Sequence, residues 1–240
     1  MRRLLMFVPA LVVAGMISVP ALTNPKDSEK DAAKDTAKQT EKINAAEAVL
    51  KASVAAPDKG IPKDLLEKAE CVGVFPDVKK GAFIVGGQGG KGLFTCRNGQ
   101  GMTGPAFFKI GGPSIGWQAG FEEADLVLLI MNKEGVDKLL QDNFTIGGEA
   151  TAAAGPVGRD VRASTDILMH AQILSWSRSR GLFAGVSLNG LVIHQDRDDN
   201  ADLYGKPLEA RDILTGGPVT VPVIAKSFVS TTAQYTKRAS

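Results

Sequence analysis

Residues 71–99, CVGVFPDVKKGAFIVGGQGGKGLFTCRNG, carry the pattern that decides the fold. Short apolar or alternating runs are separated by glycine, proline and asparagine, which is typical of short antiparallel β-strands. We therefore predict strands at 71–75, 82–86 and 92–97. Asn98-Gly99 tolerates positive φ, which favours a tight hairpin turn directly after the third strand.

The same pattern of short apolar runs separated by turn residues continues along the chain and predicts the remaining elements. Further strands are predicted at 106–110, 114–121, 126–131, 171–177 and 182–193, and the tail at 219–229 favours an edge strand. Helices are predicted at 62–70 and 133–141, a loop at 149–160 and a solvated acidic turn at 196–202. Together these elements predict an α+β fold with a glycine-rich antiparallel β-core, barrel- or sandwich-like, and a few flanking helices.

The first residues have the character of an export signal. Two arginines precede an apolar stretch at 4–19, which ends at a small-residue site, Val19-Pro20-Ala21. This pattern predicts a secretory signal peptide over 1–21 and an exported chain, periplasmic or extracellular, that associates peripherally with a membrane. An uncleaved membrane anchor is the alternative, although the run is short and contains Pro9.

A charged segment and an amphipathic helix follow the signal. Residues 24–42 contain no large apolar residue and alternate in charge sign, so 22–42 is predicted to be a linker or a solvated, fraying helix. Ile43, Leu50 and Val54 then fall on one helical stripe. Either core packing or contact with a membrane surface explains such a stripe.

Charge and cysteine content limit the function. The chain has 28 basic and 26 acidic residues, and the two arginines of the signal account for the difference. A formally neutral mature chain has no global field that would attract nucleic acid.

Cys71 and Cys96 are predicted to form a disulfide in an exported protein, with two separate buried thiols as the alternative. No metal site is predicted, because the two histidines are far apart in sequence.

Three short motifs suggest other functions, and each lacks its structural context. The G-x-G-x-x-G at 87–92 is followed by a strand-like run where a dinucleotide site needs a helix, so no cofactor is predicted. The G-x-S-x-G at 112–116 is followed by period-two alternation, not by the helix of a nucleophile elbow. The acidic turn begins like a calcium loop, but Ala201 and Pro207 occupy the positions of the required glycine and glutamate.

Five blocks of sequence resemble one known family in order and spacing. They are CVGVFPDVKKGAFIVGGQGGKG (71–92), TGPAFFKIGGPSIGWQAGFEEADLVLLIMN (103–132), AAAGPVGRD (152–160), SWSRSRGLFAGVSLNG (175–190) and NADLYGKP (200–207). Over residues 46–207 the chain resembles the SYLF domain family. The resemblance implies a non-enzymatic domain that binds acidic phospholipids, including phosphoinositides, partly through an N-terminal amphipathic helix. Some eukaryotic members also bind actin filaments, but a signal peptide makes a cytosolic actin partner implausible for this chain.

Cations in or beside glycine-rich turns are predicted to contact lipid phosphate. Guanidinium groups bind phosphate bidentately, and ammonium groups act as point charges near an anionic surface. Arg178 and Arg180 are the foremost candidates, because alternation along a strand puts both on the same side. For each cation, a solvated charge or a structural ion pair is the alternative. The predicted lipid-binding residues are Lys79, Lys80, Lys91, Arg97, Arg159, Arg162, Arg178, Arg180, Ile43, Leu50 and Val54.

The sequence thus predicts four segments and one main function. The segments are a signal peptide (1–21), a charged linker (22–42), a SYLF-like lipid-binding domain (43–207) and a C-terminal extension (208–240). The predicted function is non-enzymatic binding of acidic phospholipids or phosphoinositides at a membrane surface. A hydrolase that uses Ser114 with His170 or His194 is the enzymatic alternative, and a structural envelope protein with a protein partner is the third.

Overall fold

A long N-terminal helix leads into a curled β-sheet that carries shorter helices. The computed structural model describes residues 25–56, 60–82, 86–99, 101–114, 120–158, 170–179 and 181–238. Its helices are α1 (Pro25–Ala55), α2 (Lys63–Lys68), α3 (Lys133–Leu139), α4 (Arg197–Tyr204), α5 (Ala210–Leu214) and α6 (Lys226–Tyr235), with a 3-10 turn at Val223–Ala225. Its strands are β1 (Cys71–Ala82), β2 (Gly86–Asn98), β3 (Gly101–Met102), β4 (Ala106–Ser114), β5 (Gly120–Ile130), β6 (Asn143–Thr145), β7 (Ala152–Ala154), β8 (Ile173–Ser179), β9 (Leu182–Gly185) and β10 (Val192–Gln195).

The strands form one sheet in the order β6-β10-β4-β2-β1-β5-β8-β7, with β3 beside β2 and β9 beside β8. The pairs are antiparallel except β7 with β8, which is parallel. Asn98 pairs with Gly101, so the predicted hairpin turn is confirmed. Cys71 lies opposite Cys96 across β1 and β2, and the predicted disulfide joins them. The predicted α+β class is confirmed.

Both faces of the central strands are buried. In β5, Leu126 and Leu128 belong to one core, which α3 and α5 help to close, whereas Val127 and Leu129 belong to a second core. The second core lies under α1, α2 and α6, and we call this side of the sheet the helix-covered face. Burial on both sides explains why β5 has a continuous apolar run where a one-sided strand would alternate.

Gly155 and Gly185 allow two backbones to approach closely beside Trp176. Trp176 is fully buried, and its Nε1 donates to the Pro156 carbonyl at 2.9 Å. A Cβ on Gly155 would overlap the indole ring, and a Cβ on Gly185 would overlap the backbone of Gly155. Only glycine fits at both positions, because two backbones meet beside a large ring.

Two predictions of irregular or extended structure were wrong. The acidic turn at 196–202 is instead the start of α4, and the Asp196 carboxylate accepts a hydrogen bond from the Asp199 N–H as an N-cap does. The tail at 219–229 forms no described strand and contains the 3-10 turn and the first part of α6. Phe228 of α6 is fully buried in the second core, so helical packing overrides the weak alternation of the tail.

Two other predicted elements differ in extent. The predicted strand at 182–193 is two strands, β9 and β10, joined by a loop whose Leu188 side chain is buried. The predicted loop at 149–160 contains β7, which adds a short parallel strand to β8. In both cases the chain changes partner strand within the segment, which sequence periodicity does not report.

The charged segment is helical. Helix α1 begins at Pro25 and continues through the predicted linker, so the expected boundary between residues 42 and 43 falls inside it. Within the described ranges, no helix is both long and apolar enough to cross a membrane. The predicted signal peptide at 1–21 lies outside the described residues, and the predicted strands at 82–86 and 114–121 extend beyond them.

Candidate functional site

A belt of charged side chains crosses the helix-covered face beyond its apolar part. Four of its five members lie two residues along their strands from a buried apolar side chain, as Lys91 does from Leu93. Period-two alternation therefore places these four on one side of the sheet, and contacts with two lysines place the fifth there. We call this group the charged belt, and its members are Lys91, Lys109, Asp125 and Arg178, together with Asp196 at the end of β10.

Asp196 is the centre of the belt. Its carboxylate is fully buried and lies 2.7 Å from the Lys91 ammonium and 2.9 Å from the Lys109 ammonium. Burial raises the pKa of Asp196, but hydrogen bonds from Lys109 and Lys91 outweigh it and hold that pKa below its ordinary value. The two lysines face each other across β2 and β4, where like charges repel, so one shared carboxylate stabilises both.

Lys91 is held by two carboxylates. Besides Asp196, it contacts Asp199 of α4 at 2.7 Å. Burial lowers the pKa of Lys91, and the hydrogen bonds to Asp196 and Asp199 raise it above its ordinary value. Lys91 is thus a structural link between β2 and α4, and its positive charge is neutralised within the chain.

Arg178 also has a structural partner. Its Nε and Nη2 donate to one oxygen of Asp125 at 2.7 and 2.6 Å, and its guanidinium lies 5.7 Å from the ring centre of Phe183. The other Asp125 oxygen accepts the N–H of Asp77, a non-glycine residue with φ +54° in a bulge of β1. This arrangement matches the alternative interpretation of Arg178, a structural ion pair, and its contact with lipid phosphate stays a prediction. Arg180 lies outside the described residues.

Arg97 lies far from the belt, at the disulfide end of β2. Its guanidinium donates to the carbonyls of Glu67 at 3.2 Å, Ala69 at 3.4 Å and Thr236 at 2.7 Å. These carbonyls belong to the C-terminal ends of α2 and α6, where backbone acceptors lack helical donors. Arg97 therefore joins two helices, and about 20 Å of extended strand separates it from Lys91.

The remaining predicted cations do not complete a basic face. Lys79 pairs with Glu123 at 3.6 Å, and both side chains are exposed. Lys80 follows it on β1 and therefore points to the opposite side of the sheet. Arg159 and Arg162 lie outside the described residues. The described cations are thus spread over both faces and both ends of the strands, so they form no single basic surface.

The apolar stripe of α1 packs into the core. Ile43 and Leu50 are completely buried in the second core, and Val54 packs at its edge. Core packing, the alternative interpretation, thus describes this stripe. Contact of Ile43 or Leu50 with lipid would require α1 to leave the sheet.

Helix α6 holds α1 through a buried carboxylate. Glu47 of α1 accepts hydrogen bonds from the Ser227 and Thr231 hydroxyls, both at 2.9 Å, and pairs with Lys51 at 2.6 Å. Burial raises the pKa of Glu47, but these hydrogen bonds outweigh it and place that pKa below its ordinary value. The C-terminal residues therefore belong to the same packed unit as α1.

A small cleft opens between α1 and α4, above the belt. Its cavity volume is about 20 Å³, and it is partly open to solvent. We call it the α1–α4 cleft, and its lining residues are Asp35, Lys38, Gln39, Lys42, Lys91, Phe107 and Asp199. Sequence reasoning missed Lys38 and Lys42 because they lie in the predicted linker, and it missed Lys109 of the belt. The alternation of Phe107 and Lys109 was the available signal for the latter.

The structure describes only part of the residues on which the alternative functions depend. Ser114 ends β4 and pairs with Gly86, and the rest of its motif lies outside the described residues. His170 and His194 are exposed. Within the same ranges, no three His, Cys, Asp or Glu side chains are grouped as a metal site.

Comparison with known proteins connects this fold to a family of binding proteins. Residues 111–235 match the family described as "Ysc84: Las17-binding protein actin regulator". The chain is 32% identical over 184 residues to SH3 domain-containing YSC84-like protein 1 of Bos taurus, over 76% of this chain and 53% of that protein. It is 34% identical over 162 residues to the Homo sapiens protein of that name, over 67% and 47%. It is 31% identical over 175 residues to LAS seventeen-binding protein 3 of Saccharomyces cerevisiae, over 71% and 38%.

These names correct the predicted partner. The family description names Las17 binding and actin regulation, and the yeast relative is named for Las17 binding. The prediction that lipid is the partner and that actin is an unlikely one was therefore wrong. The names describe binding and regulatory proteins, not enzymes. The chain spans about half the length, or less, of the curated relatives it matches. With more than half of its residues matched, the chain belongs to the Ysc84 family, the family of the SYLF domain.

Proposed function

We propose that this chain is a non-enzymatic protein-binding domain whose partner is actin or an actin-regulating protein of the Las17 type. The observation that carries the proposal is the family match over residues 111–235, which extends from β4 to the end of α6. Because the matched region makes up only about half of the Bos taurus relative, the experiment must test the part that it shares with this chain.

The contact surface of this proposal is the exposed rim of the charged belt and the α1–α4 cleft. Both charge signs alternate there, with Lys38, Lys42 and Asp35 on α1 opposite Asp199 on α4. Alternating charges on a protein surface favour a complementary protein partner and fix its orientation. Such contacts weaken with increasing salt, because exposed charges are screened.

The test is co-sedimentation of the purified chain with actin filaments, together with capture on an immobilised Las17-type protein. We expect saturable binding to one of them that weakens with salt. The double variant Lys38→Glu/Lys42→Glu should bind more weakly. Lys226→Glu/Lys237→Glu makes the same charge change at exposed positions of the C-terminal region and should bind as the wild type does. Absence of binding to both proteins contradicts the proposal.

Two further measurements test the other predicted functions. Phosphatidylcholine vesicles with or without phosphatidylserine test the predicted binding of acidic phospholipid, which is not part of this proposal. Turnover of a p-nitrophenyl ester tests catalysis, and we expect the wild type and Ser114→Ala to be equally inactive. Turnover that is lost in the variant would establish the hydrolase instead.

As the alternative to a cytosolic actin partner, we propose that the chain is exported, with cleavage near Ala21, and meets its protein partner outside the cytosol. The signal-like sequence over 1–21 supports this, and so does the Cys71–Cys96 disulfide, because disulfides persist in oxidising compartments. N-terminal sequencing of the protein from its native cells should find a chain that begins near Leu22. An intact N-terminus in the mature protein would contradict export by cleavage.

A further inference from the structure

Two lysines of α1 face the α1–α4 cleft without a close acidic partner. Lys38 has no ion pair among the described residues, and the nearest acid to Lys42 is Asp77 at 4.0 Å. By contrast, Lys91 on the opposite wall is 2.7 Å from each of two carboxylates. Lys38 and Lys42 are one helical turn apart, so their ammonium groups can converge on one anion.

The rest of the lining provides an acceptor and an apolar wall. Gln39 is almost completely buried, and its Nε2 donates to the Asp199 carbonyl at 3.2 Å. The Oε1 of the same side chain is the lining atom that can accept an N–H. Phe107 supplies apolar surface to the cleft. An amide N–H close to an anionic group, attached to an apolar segment, matches this lining.

The balance of charge selects the type of anion. After Lys91 pairs with Asp199, two lysines and Asp35 remain in the lining with a formal charge of one positive unit. Asp77 beside Lys42 and Asp202 near Asp35 add negative charge at its edge. A monoanionic carboxylate matches that charge. A phosphate dianion would meet the carboxylates of Asp35 and Asp199 at close range, and like charges at short distance repel.

We propose that the α1–α4 cleft binds a carboxylate of a partner polypeptide. Lys38 and Lys42 hold the carboxylate, Gln39 Oε1 accepts an N–H of the same peptide, and Phe107 contacts its apolar part. The carboxylate comes from an Asp or Glu side chain or from the C-terminus of the partner, since both present the same group. This inference rests on the proposed protein-binding function and names the group that the site recognises.

The test is a titration of the full chain, followed by its backbone amide NMR signals, with short peptides as probes. Acetyl-Leu-Glu-amide presents a side-chain carboxylate, acetyl-Leu-Gly a terminal carboxylate, and acetyl-Leu-Gln-amide neither. We expect saturable shifts at Gln39 and Phe107 with at least one carboxylate peptide, and about tenfold weaker binding of the neutral peptide. The stronger carboxylate peptide identifies the source. Inorganic phosphate should bind more weakly than that peptide.

Matched variants locate the contact. Lys38→Gln/Lys42→Gln should lose about tenfold in affinity for the carboxylate peptide, whereas Lys34→Gln, exposed one turn earlier on α1, should not. An unchanged melting temperature shows that each variant is folded. The inference is overturned by equal binding of the neutral peptide, by phosphate binding as tight as that of the peptides, by absence of saturable shifts, or by full affinity in the double variant. Because the probes contain no actin or Las17, this result is independent of the outcome of the filament assay.

Discussion

Replacement of Asp196 by asparagine removes the negative charge on which Lys91 and Lys109 converge. Asparagine keeps the shape of the side chain and an oxygen that can still cap α4. Removing one partner of a buried ion pair costs about 3–5 kcal/mol. The side chains of the two lysines are 33% and 45% exposed, so water compensates part of the loss. We therefore expect the free energy of unfolding to fall by about 2–3 kcal/mol at pH 7.

The effect should depend on pH in one direction. The pKa of Asp196 in the folded protein lies below its ordinary value because Lys109 and Lys91 donate hydrogen bonds to it despite its burial. A carboxylate with a lowered pKa stabilises the fold above its unfolded pKa of about 4, and the stabilisation is lost as the pH falls through the folded pKa. The difference between wild type and Asp196→Asn should therefore be full at pH 7 and should shrink below about pH 4.

Urea denaturation at pH 7 and pH 3 measures both quantities. Asp137→Asn, an exposed position on α3, is the matched control and should change stability by less than about 0.5 kcal/mol. Equal stability of wild type and Asp196→Asn at pH 7 would refute the buried ion pair. A deficit of the same size at both pH values would show that the loss comes from packing and not from charge.

Three further substitutions test the packing by urea denaturation. Phe228→Ala should lower the free energy of unfolding by about 3–5 kcal/mol because the ring is fully buried. Val223→Ala, at a side chain that is 79% exposed, should lower it by less than about 0.5 kcal/mol. Equal effects would show that α6 does not pack in the core. Cys71→Ser/Cys96→Ser removes the disulfide, whose cysteines are 25 residues apart, and should lower the free energy of unfolding by about 3 kcal/mol. Unchanged stability would show that the disulfide does not form in solution. Gly73→Ala places a Cβ in an aromatic ring and should cost about 1–3 kcal/mol, and a neutral result would contradict that contact.

The β-strands could be predicted where the sequence pattern that marks them lies within the strand and its turns. The predicted strands at 71–75, 92–97, 106–110 and 126–131 all lie within or almost within β1, β2, β4 and β5. Their ends are marked by glycine, proline or asparagine, and their apolar residues are adjacent in sequence. The same locality made the Asn98-Gly99 turn predictable, because its conformation depends on residues within the turn.

Contacts between distant residues could not be predicted. Alternation placed Arg178 on one side of its strand correctly, but its partner Asp125 is on another strand. Likewise, the bond between Lys91 and Asp196 spans more than a hundred residues and depends on the pairing of β2, β4 and β10. The local sequence around a cation beside a glycine-rich turn is therefore the same whether the cation is free or paired with an acid that is distant in sequence.

The acidic stretch at 196–202 shows a signal that was available and was given the wrong meaning. An aspartate followed by a helical turn is typical of an N-cap, and Asp196 has this role in α4. Its short acidic run was interpreted as a solvated turn instead. The distinction depends on Asn200, whose buried side chain accepts the Phe107 N–H at 2.6 Å and so fixes α4 to the sheet.

The bridge between Cys71 and Cys96 has a mechanical consequence. A chain pulled from its two ends lengthens by about 3.5 Å for every residue released. The residues enclosed by the crosslink, which separates its cysteines by 25 positions, cannot add to that extension, so the fully stretched molecule is shorter by roughly 85 Å than its reduced form. Force applied along the polypeptide thus bypasses the hairpin of β1 and β2. This hairpin stays closed while the helices outside it unfold.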